Sequence, residues 1–201
     1  MQTFREDLVN KFGQHNFEKI QKAKVGIAGA GGLGSNCALH LVRVGFTKFT
    51  IADFDVIVPS NLDRQFYFLD QIGMNKVDAL RDNLVRINPE LELELVRKKI
   101  EKINIGEIFS NCDIIAECLD RAEYKTILVS ELMDLNKFIV SVSGLGGVGF
   151  SDEIKIHRIN NNLIIIGDLK SDTDKKPALS PRVNIAAAKQ ADVILEYVLQ
   201  G

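Results

Sequence analysis

The glycine-rich hexapeptide GAGGLG at positions 29–34 constrains this chain most, and it follows a short apolar run at 25–28. A strand that leads through a glycine turn into a helix exposes unpaired backbone N–H groups at the positive end of the helix dipole, which favours phosphate. The first glycine permits the tight turn, Gly31 lets the backbone approach a phosphate, and Gly34 allows close helix packing on the strand. Because Asp53 lies nineteen positions beyond Gly34, the spacing predicts a nucleotide site, without separating NAD from ATP.

Predicted strands and helices alternate along the chain. The apolar patterns predict strands at 25–28, 49–52, 91–96, 113–119 and 138–142, and helices at 4–12, 33–44, 76–87, 103–109, 122–136 and 183–199. Right-handed crossovers then give an α/β, Rossmann-like fold, a mostly parallel sheet flanked by helices. Two runs at 153–158 and 163–167, joined by Ile159 and three asparagines, predict a hairpin that adds antiparallel strands near the C-terminus.

Length and charge restrict the classes of protein that remain. The 201 residues predict a single domain, with N-terminal helices at 1–23, a nucleotide-binding core at 24–142 and C-terminal strands, loop and helix at 143–201. A formal net charge of −2 gives no general attraction for nucleic acid or anionic lipid. No apolar segment approaches the about 18 to 20 residues that span a bilayer, and the N-terminus does not resemble a signal peptide. We therefore expect a cytoplasmic protein with no nucleic-acid or membrane partner.

The cysteines argue against two further classes. Cys37, Cys112 and Cys118 are the only cysteines and form no CxxC pair. This pattern opposes both a disulfide framework and a structural zinc site, so no zinc is expected. Each cysteine is predicted to be a small buried apolar residue.

A second group of motifs distinguishes between the possible nucleotides. DFDVIVPSNLDRQ at 53–65, IGMNK at 72–76, RINP at 86–89 and ECLD at 117–120 follow the glycine turn in order. Together they resemble the adenylating domain of ubiquitin-activating-type enzymes, and within that superfamily they are most similar to the bacterial sulfur-carrier adenylyltransferases ThiF and MoeB. The likeness covers roughly residues 5–142, and the SNLDRQ segment makes it more specific than a glycine motif alone.

The resemblance implies a reaction and its residues. AMP from ATP is joined to the C-terminal glycine carboxylate of a small ubiquitin-fold sulfur carrier with a Gly-Gly tail, and pyrophosphate is released. Because a carboxylate must attack an anionic phosphate, cations are needed at the phosphates. The resemblance implies the following set: Arg64 and Lys76 as phosphate cations, Asn61 and Gln65 as polar phosphate ligands, Gly29, Gly31, Gly32 and Gly34 as the phosphate turn, Asp53 for the ribose, Asp120 for Mg²⁺, and Arg5 reaching the nucleotide of the other subunit in a homodimer.

The chain also departs from ThiF and MoeB. Those proteins have a longer C-terminal portion with two CxxC zinc pairs and a cysteine that bonds to the activated carrier, whereas no cysteine follows Cys118 here. The loop at 168–181 is then a reduced counterpart without a nucleophile. We therefore expect adenylation, with thiamine thiazole synthesis as the pathway, and no covalent carrier intermediate at that loop.

Other interpretations of the chain remain at this stage. An NAD-dependent oxidoreductase would use the same glycines and Asp53 but leaves Arg64 and Lys76 without a role. Two other interpretations remain. One is a related ATP-dependent dehydratase that acts on a modified tRNA nucleoside, and the other is a non-catalytic binding module.

Individual residues also have alternatives. Arg64 and Lys76 are compatible with solvated surface cations. Asp55 is an alternative to Asp53, and Asp120 is an alternative cap for the following helix. The glycines of the segment at 144–149 are compatible with a groove for the carrier tail or with a flexible turn; they are Gly144, Gly146, Gly147 and Gly149.

Overall fold

A seven-stranded sheet organises the residues described by the computed structural model, 3–173 and 175–200. The strands are β1 Lys24–Ala28, β2 Lys48–Ala52, β3 Glu92–Val96, β4 Ile114–Glu117, β5 Phe138–Val142, β6 Lys155–Arg158 and β7 Leu163–Gly167. The helices are α1 Phe4–Phe12, α2 Gln14–Lys22, α3 Gly32–Arg43, α4 Lys76–Val85, α5 Ile105–Ile108, α6 Ala122–Asp134 and α7 Ser180–Gln200. The strand order is β3-β2-β1-β4-β5-β7-β6.

The predicted α/β fold with a mostly parallel sheet is confirmed. Strands β1 to β5 pair in parallel because helical crossovers connect them. The predicted hairpin also forms, since β6 and β7 pair antiparallel. Strand β7 itself pairs in parallel with β5, because β6 takes the edge of the sheet and β7 returns between β5 and β6.

The sheet core is covered on both faces, as a parallel sheet requires. Every residue of β4 and β5 is buried, and so are the last four residues of β1 and β2. Helices α3, α4 and α7 contribute to one apolar cluster, while α5 and α6 contribute to a second. The carboxyl ends of the parallel strands therefore form an open edge where ligands of such sheets bind.

Candidate nucleotide site

The glycine turn lies between the carboxyl ends of β1 and β4. Gly29 has a φ of +97°, and a Cβ at that position would lie 2.9 Å from the carbonyl oxygen of Cys118. A Cβ on Gly34 would overlap the carbonyl oxygen of Gly29. At Gly31, in contrast, a Cβ would meet only the Gln65 amide, 3.9 Å away. Two of the glycines thus serve the turn itself, while Gly31 borders open space.

Asp53 connects the end of β2 to this turn. Its Oδ2 accepts the backbone N–H of Ala30 at 2.7 Å, and its Oδ1 accepts that of Asp55 at 2.8 Å. Burial raises the pKa of Asp53, although the Lys76 ammonium and these two N–H groups oppose that shift. Each carboxylate oxygen keeps a second lone pair, so Asp53 retains the capacity to accept a hydroxyl group.

Lys76 and Arg64 occupy the segment that follows β2. Lys76 is only 6% exposed, and its Nζ lies 2.7 Å from Oδ2 of Asp55. The side chain of Arg64 is partly exposed; its Nη1 donates to Asp63 Oδ1 at 2.6 Å and to the Ser60 carbonyl at 2.9 Å. Its Cγ would lie 3.4 Å from a Cβ placed on Gly32. Lys76 is therefore not a solvated surface cation, and Arg64 lies beside the turn.

Buried polar side chains hold this segment against the turn. The Tyr67 hydroxyl donates to the Ala30 carbonyl at 2.6 Å and lies 3.2 Å from the Lys76 carbonyl. Asn36 donates to the Arg64 carbonyl at 2.9 Å, and Ser35 Oγ accepts the Phe66 N–H at 3.0 Å. Sequence reasoning missed Tyr67, Asn36 and Ser35 as site residues. The sequence carries little signal for these three residues, because polar side chains are usually exposed and only the structure shows that these are buried.

The two amides of the segment differ in their surroundings. Asn61 is buried and uses its Oδ1 to accept the Val58 N–H at 3.1 Å. Gln65 extends toward Gly31, and its Oε1 is buried without a hydrogen-bond partner among the described residues. A buried polar atom left unpaired costs about 1–3 kcal/mol. A ligand at Gly31 would be placed to pair with this amide.

Asp120 follows β4 at the same edge of the sheet. Its side chain is exposed, and within the described ranges its carboxylate has neither a hydrogen bond nor an ion pair. The alternative role as a helix cap is not seen, because Arg121 is the N-cap of α6 and no side chain caps it. Asp120 is thus free to meet a ligand.

Arg5 lies away from the glycine turn, on the N-terminal helix α1. It is exposed on α1, and its guanidinium carbon is 5.2 Å from the ring centroid of Phe17 in α2. The structure therefore does not bring Arg5 to the glycine turn of the chain.

A buried carboxylate supports the turn that carries Asp120. Glu117 is fully buried and accepts the Leu119 N–H at 2.7 Å, the Lys125 ammonium at 2.9 Å and the Ser141 hydroxyl at 2.6 Å. A buried carboxylate needs such compensation. Sequence reasoning included Glu117 in a motif but gave it no role.

All three cysteines are buried, as predicted. Burial raises the pKa of each thiol, and Cys118 Sγ donates to Gln190 Oε1 at 3.4 Å. Such thiols are poor nucleophiles because the thiolate is the reactive form. In the ranges that the structure describes, no group of three His, Cys, Asp or Glu side chains is placed to hold a metal ion. No described helix is both long enough and apolar enough to cross a membrane.

The fold and the glycine turn define a nucleotide-binding α/β domain with cations beside the turn. The chain belongs to the ThiF family, whose family model matches residues 5–185. It is 33% identical over 144 residues to the adenylyltransferase and sulfurtransferase UBA4 of Eremothecium gossypii, covering 71% of this chain and 32% of that protein. It is 34% identical over 112 residues to the molybdopterin-synthase adenylyltransferase of Haemophilus influenzae, covering 55% and 46%. The chain therefore spans less than half the length of either relative.

Solved structures share the fold. The E. coli tRNA N6-threonylcarbamoyladenosine dehydratase TcdA, solved with AMP, superimposes with a TM-score of 0.87 at 18% identity, covering 96% of this chain and 93% of that one. E. coli MccB, solved with AMPCPP and MccA, has a TM-score of 0.72 at 21% identity, covering 92% and 58%. At these identities the likeness establishes the fold alone.

Proposed function

We propose that the protein is an ATP-dependent adenylyltransferase. It joins AMP to the C-terminal glycine carboxylate of a small ubiquitin-fold sulfur carrier with a Gly-Gly tail. A carboxylate oxygen attacks the α-phosphorus of ATP, the bond from that phosphorus to the β-phosphate bridging oxygen breaks, and pyrophosphate leaves with the electron pair. The observation that carries this proposal is that Arg64 lies beside the glycine turn and that the segment of the buried Lys76 is joined to the same turn through Tyr67. An NAD-dependent oxidoreductase does not need these two cations.

The two cations address the main barrier of this reaction. A carboxylate and a triphosphate repel each other, and negative charge grows on the leaving pyrophosphate. Arg64 and Lys76 now pair with Asp63 and Asp55, so phosphate oxygens would replace these carboxylates as partners. The Gln65 Nε2, which faces Gly31, and the turn N–H groups donate further hydrogen bonds to the phosphates, and Asp53 holds the ribose hydroxyls.

The Asp120 carboxylate, at the carboxyl ends of the parallel strands, is a suitable ligand for Mg²⁺. Mg²⁺ takes oxygen ligands and is usually held by one or two carboxylates together with substrate phosphates. Asp120 offers one exposed carboxylate without a partner in the described chain, and Mg²⁺ bound there would neutralise phosphate charge.

The proposal also covers the pathway, the domain organisation, the cellular location and the oligomeric state. We assign the carrier to thiamine thiazole synthesis, the chain to a single domain at 1–201, and its location to the cytoplasm. We also propose a homodimer in which Arg5 reaches the partner's nucleotide, because Arg5 is exposed and distant from its own glycine turn. The two relatives described above support the adenylation step, since both are adenylyltransferases. A monomer with full activity would remove Arg5 from the site.

Exchange of labelled pyrophosphate into ATP tests the function. We expect exchange with Mg-ATP only when a Gly-Gly-tailed carrier is present, and none with the same carrier lacking its terminal glycine. If no carrier supports exchange, while a tRNA bearing threonylcarbamoyladenosine stimulates ATP turnover, the dehydratase interpretation replaces ours. Tight binding of NADH with none of Mg-ATP, measured by calorimetry, would instead favour the oxidoreductase.

Two glycine substitutions are expected to separate phosphate access from folding. Gly31→Ala places a methyl group in open space, so it should leave the melting temperature near that of the wild type while weakening ATP binding. Gly34→Ala overlaps the Gly29 carbonyl, and overpacking of this kind costs about 1–3 kcal/mol or more. Thermal melts and ATP calorimetry on both variants check this, and a Gly31→Ala protein that binds ATP normally would contradict it.

A further inference from the structure

We propose that Tyr67 is a positioning residue of the glycine turn: its hydroxyl orients the peptide unit between Ala30 and Gly31 so that the Gly31 N–H faces the phosphates of ATP. This inference rests on the proposed function, because it concerns the same ATP site. It identifies one backbone N–H that contacts phosphate and a side chain outside the turn that holds this N–H in place. Tyr67 is only 6% exposed, so it acts through the turn rather than on the substrate.

A single hydrogen bond determines the direction of this peptide unit. The Tyr67 hydroxyl donates to the Ala30 carbonyl oxygen at 2.6 Å, so this carbonyl points into the buried interior. No described peptide bond is cis, and in a planar trans peptide the C=O and the following N–H point in opposite directions. The Gly31 N–H therefore points away from Tyr67, toward the open space beside Gly31.

Gly31 also carries the first N–H of the turn that the protein leaves unpaired. The Gly29 N–H donates to the Ala52 carbonyl at 2.9 Å, and the Ala30 N–H donates to Asp53 Oδ2 at 2.7 Å. The Gly31 N–H has no acceptor among the residues that the structure describes. Because helix α3 begins at the next residue, this N–H lies at the positive end of a helix dipole, where an anion is favoured.

The opposite orientation of the peptide is accessible without the Tyr67 hydroxyl. A peptide flip rotates ψ of Ala30 and φ of Gly31 by about 180°. Gly31 has φ −78°, and a glycine adopts the positive φ that the flip requires at no steric cost. Asp53 does not prevent the flip, because it binds the N–H of the preceding peptide unit. The flipped unit would turn a carbonyl oxygen toward the phosphate, so the hydroxyl selects the orientation that binds an anion.

Tyr67 remains a hydrogen-bond donor in this environment. Burial and the nearby Asp53 carboxylate raise the pKa of Tyr67, so the hydroxyl keeps the proton that it donates. The same oxygen lies 3.2 Å from the carbonyl oxygen of Lys76, the first residue of α4. The hydroxyl thus contacts the turn on one side and the backbone of a phosphate cation on the other. Both groups act on phosphate and not on the nucleoside.

Tyr67→Phe tests the inference, because it removes only the hydroxyl. Calorimetry is run well below the melting temperature of each protein. We expect ATP to bind about tenfold more weakly, the usual size of one hydrogen bond to a charged group. Adenosine, which has no phosphate, should bind the variant and the wild type equally in a competition titration. A purely structural role of the hydroxyl would weaken both ligands alike.

Tyr197→Phe is the matched control. Tyr197 is 42% exposed on α7, and its ring stacks on Phe138 at the amino end of β5. The glycine turn lies at the carboxyl ends of the strands, so the control removes a tyrosine hydroxyl far from the site. We expect wild-type affinity for both ligands from Tyr197→Phe.

The Gly31 amide proton provides a readout that does not depend on affinity. A hydrogen bond to a phosphate oxygen moves an amide proton resonance downfield. In ¹⁵N-labelled protein, the Gly31 resonance is identified by its absence from Gly31→Ala. At saturating ATP we expect it to move downfield in the wild type and in Tyr197→Phe, and to stay near its ligand-free position in Tyr67→Phe.

The outcomes separate this inference from the proposed function. A wild-type protein that does not bind Mg-ATP removes the proposed function and this inference with it. If the wild type binds ATP and Tyr67→Phe binds it equally well, the inference alone is overturned. Equal losses of ATP and adenosine affinity in Tyr67→Phe assign the hydroxyl a structural role and also overturn it. The same holds if the Gly31 resonance of Tyr67→Phe moves as far as that of the wild type.

Discussion

Replacement of Arg64 by alanine is expected to lower the rate of carrier-dependent pyrophosphate exchange by about 10²–10³-fold, the usual cost of removing one group that stabilises transition-state charge. The fold should survive, because the Arg64 side chain is 29% exposed and its carboxylate partner Asp63 is 51% exposed. Neither group is left buried and unpaired by the change. The loss should therefore fall on chemistry rather than on stability.

Arg158→Ala is the matched control for Arg64→Ala. Arg158 is also a partly exposed arginine in an ion pair, at 2.5 Å from Glu196, but it lies on the edge strand β6. We expect wild-type exchange from the control and equal melting temperatures for both variants. Lys76→Met should resemble Arg64→Ala in rate. Full exchange activity in Arg64→Ala would show that this cation is only a surface residue.

Replacement of Arg182 by alanine is expected to give the largest loss of stability, about 3–5 kcal/mol in the free energy of unfolding. Both side chains of the Arg182–Asp168 pair are 6% exposed. The substitution leaves a buried carboxylate without its cation and three carbonyl groups without a donor, those of Leu145, Gly149 and Phe150. Chemical denaturation measures the effect. The double variant Arg182→Met with Asp168→Leu should recover part of it, since no buried charge is then left unpaired.

Acid titration provides a second measurement on this pair. Burial alone would raise the pKa of Asp168, but the N–H groups of Ser171 and Lys170 and the Arg182 guanidinium outweigh it and hold the pKa below 3.8. Because the pKa of Asp168 is lower in the folded state than in the unfolded state, its carboxylate stabilises the fold at pH values above the unfolded-state pKa. The stability difference between wild type and Asp168→Asn should therefore shrink as the pH falls below 3.8. A difference that stays constant down to acid unfolding would contradict this assignment.

The predictable part of the fold came from local patterns. Alternating apolar strands and helices, with GAGGLG between β1 and α3, are enough to predict a parallel sheet and its ligand edge. The orientation of β7 was not predictable in this way. A hairpin pattern specifies only the pairing of β6 with β7, while the pairing of β7 with β5 depends on where a long connection returns to the sheet.

The candidate site also has a part that the sequence predicts and a part that it does not. The SNLDRQ motif at 60–65 contains Arg64 and Gln65, which the fold places beside the glycine turn, because the motif lies in the connection between β2 and α4. The supporting groups Tyr67, Glu117 and Arg182 were not predicted as such. A polar residue in a sequence is usually exposed, and these three are buried only because distant carbonyls or ion-pair partners meet them. The placement of Arg5 over Phe17 likewise depends on how α1 packs on α2.

Transfer of AMP to a carrier protein is the central claim, and intact mass spectrometry measures it directly. The protein is incubated with Mg-ATP, inorganic pyrophosphatase and a Gly-Gly-tailed carrier, and the carrier is then weighed. The account predicts a carrier heavier by one AMP group at its terminal glycine, absent with Arg64→Ala and absent from a carrier lacking that glycine. A wild-type protein that binds Mg-ATP but leaves every such carrier at its original mass would contradict the account.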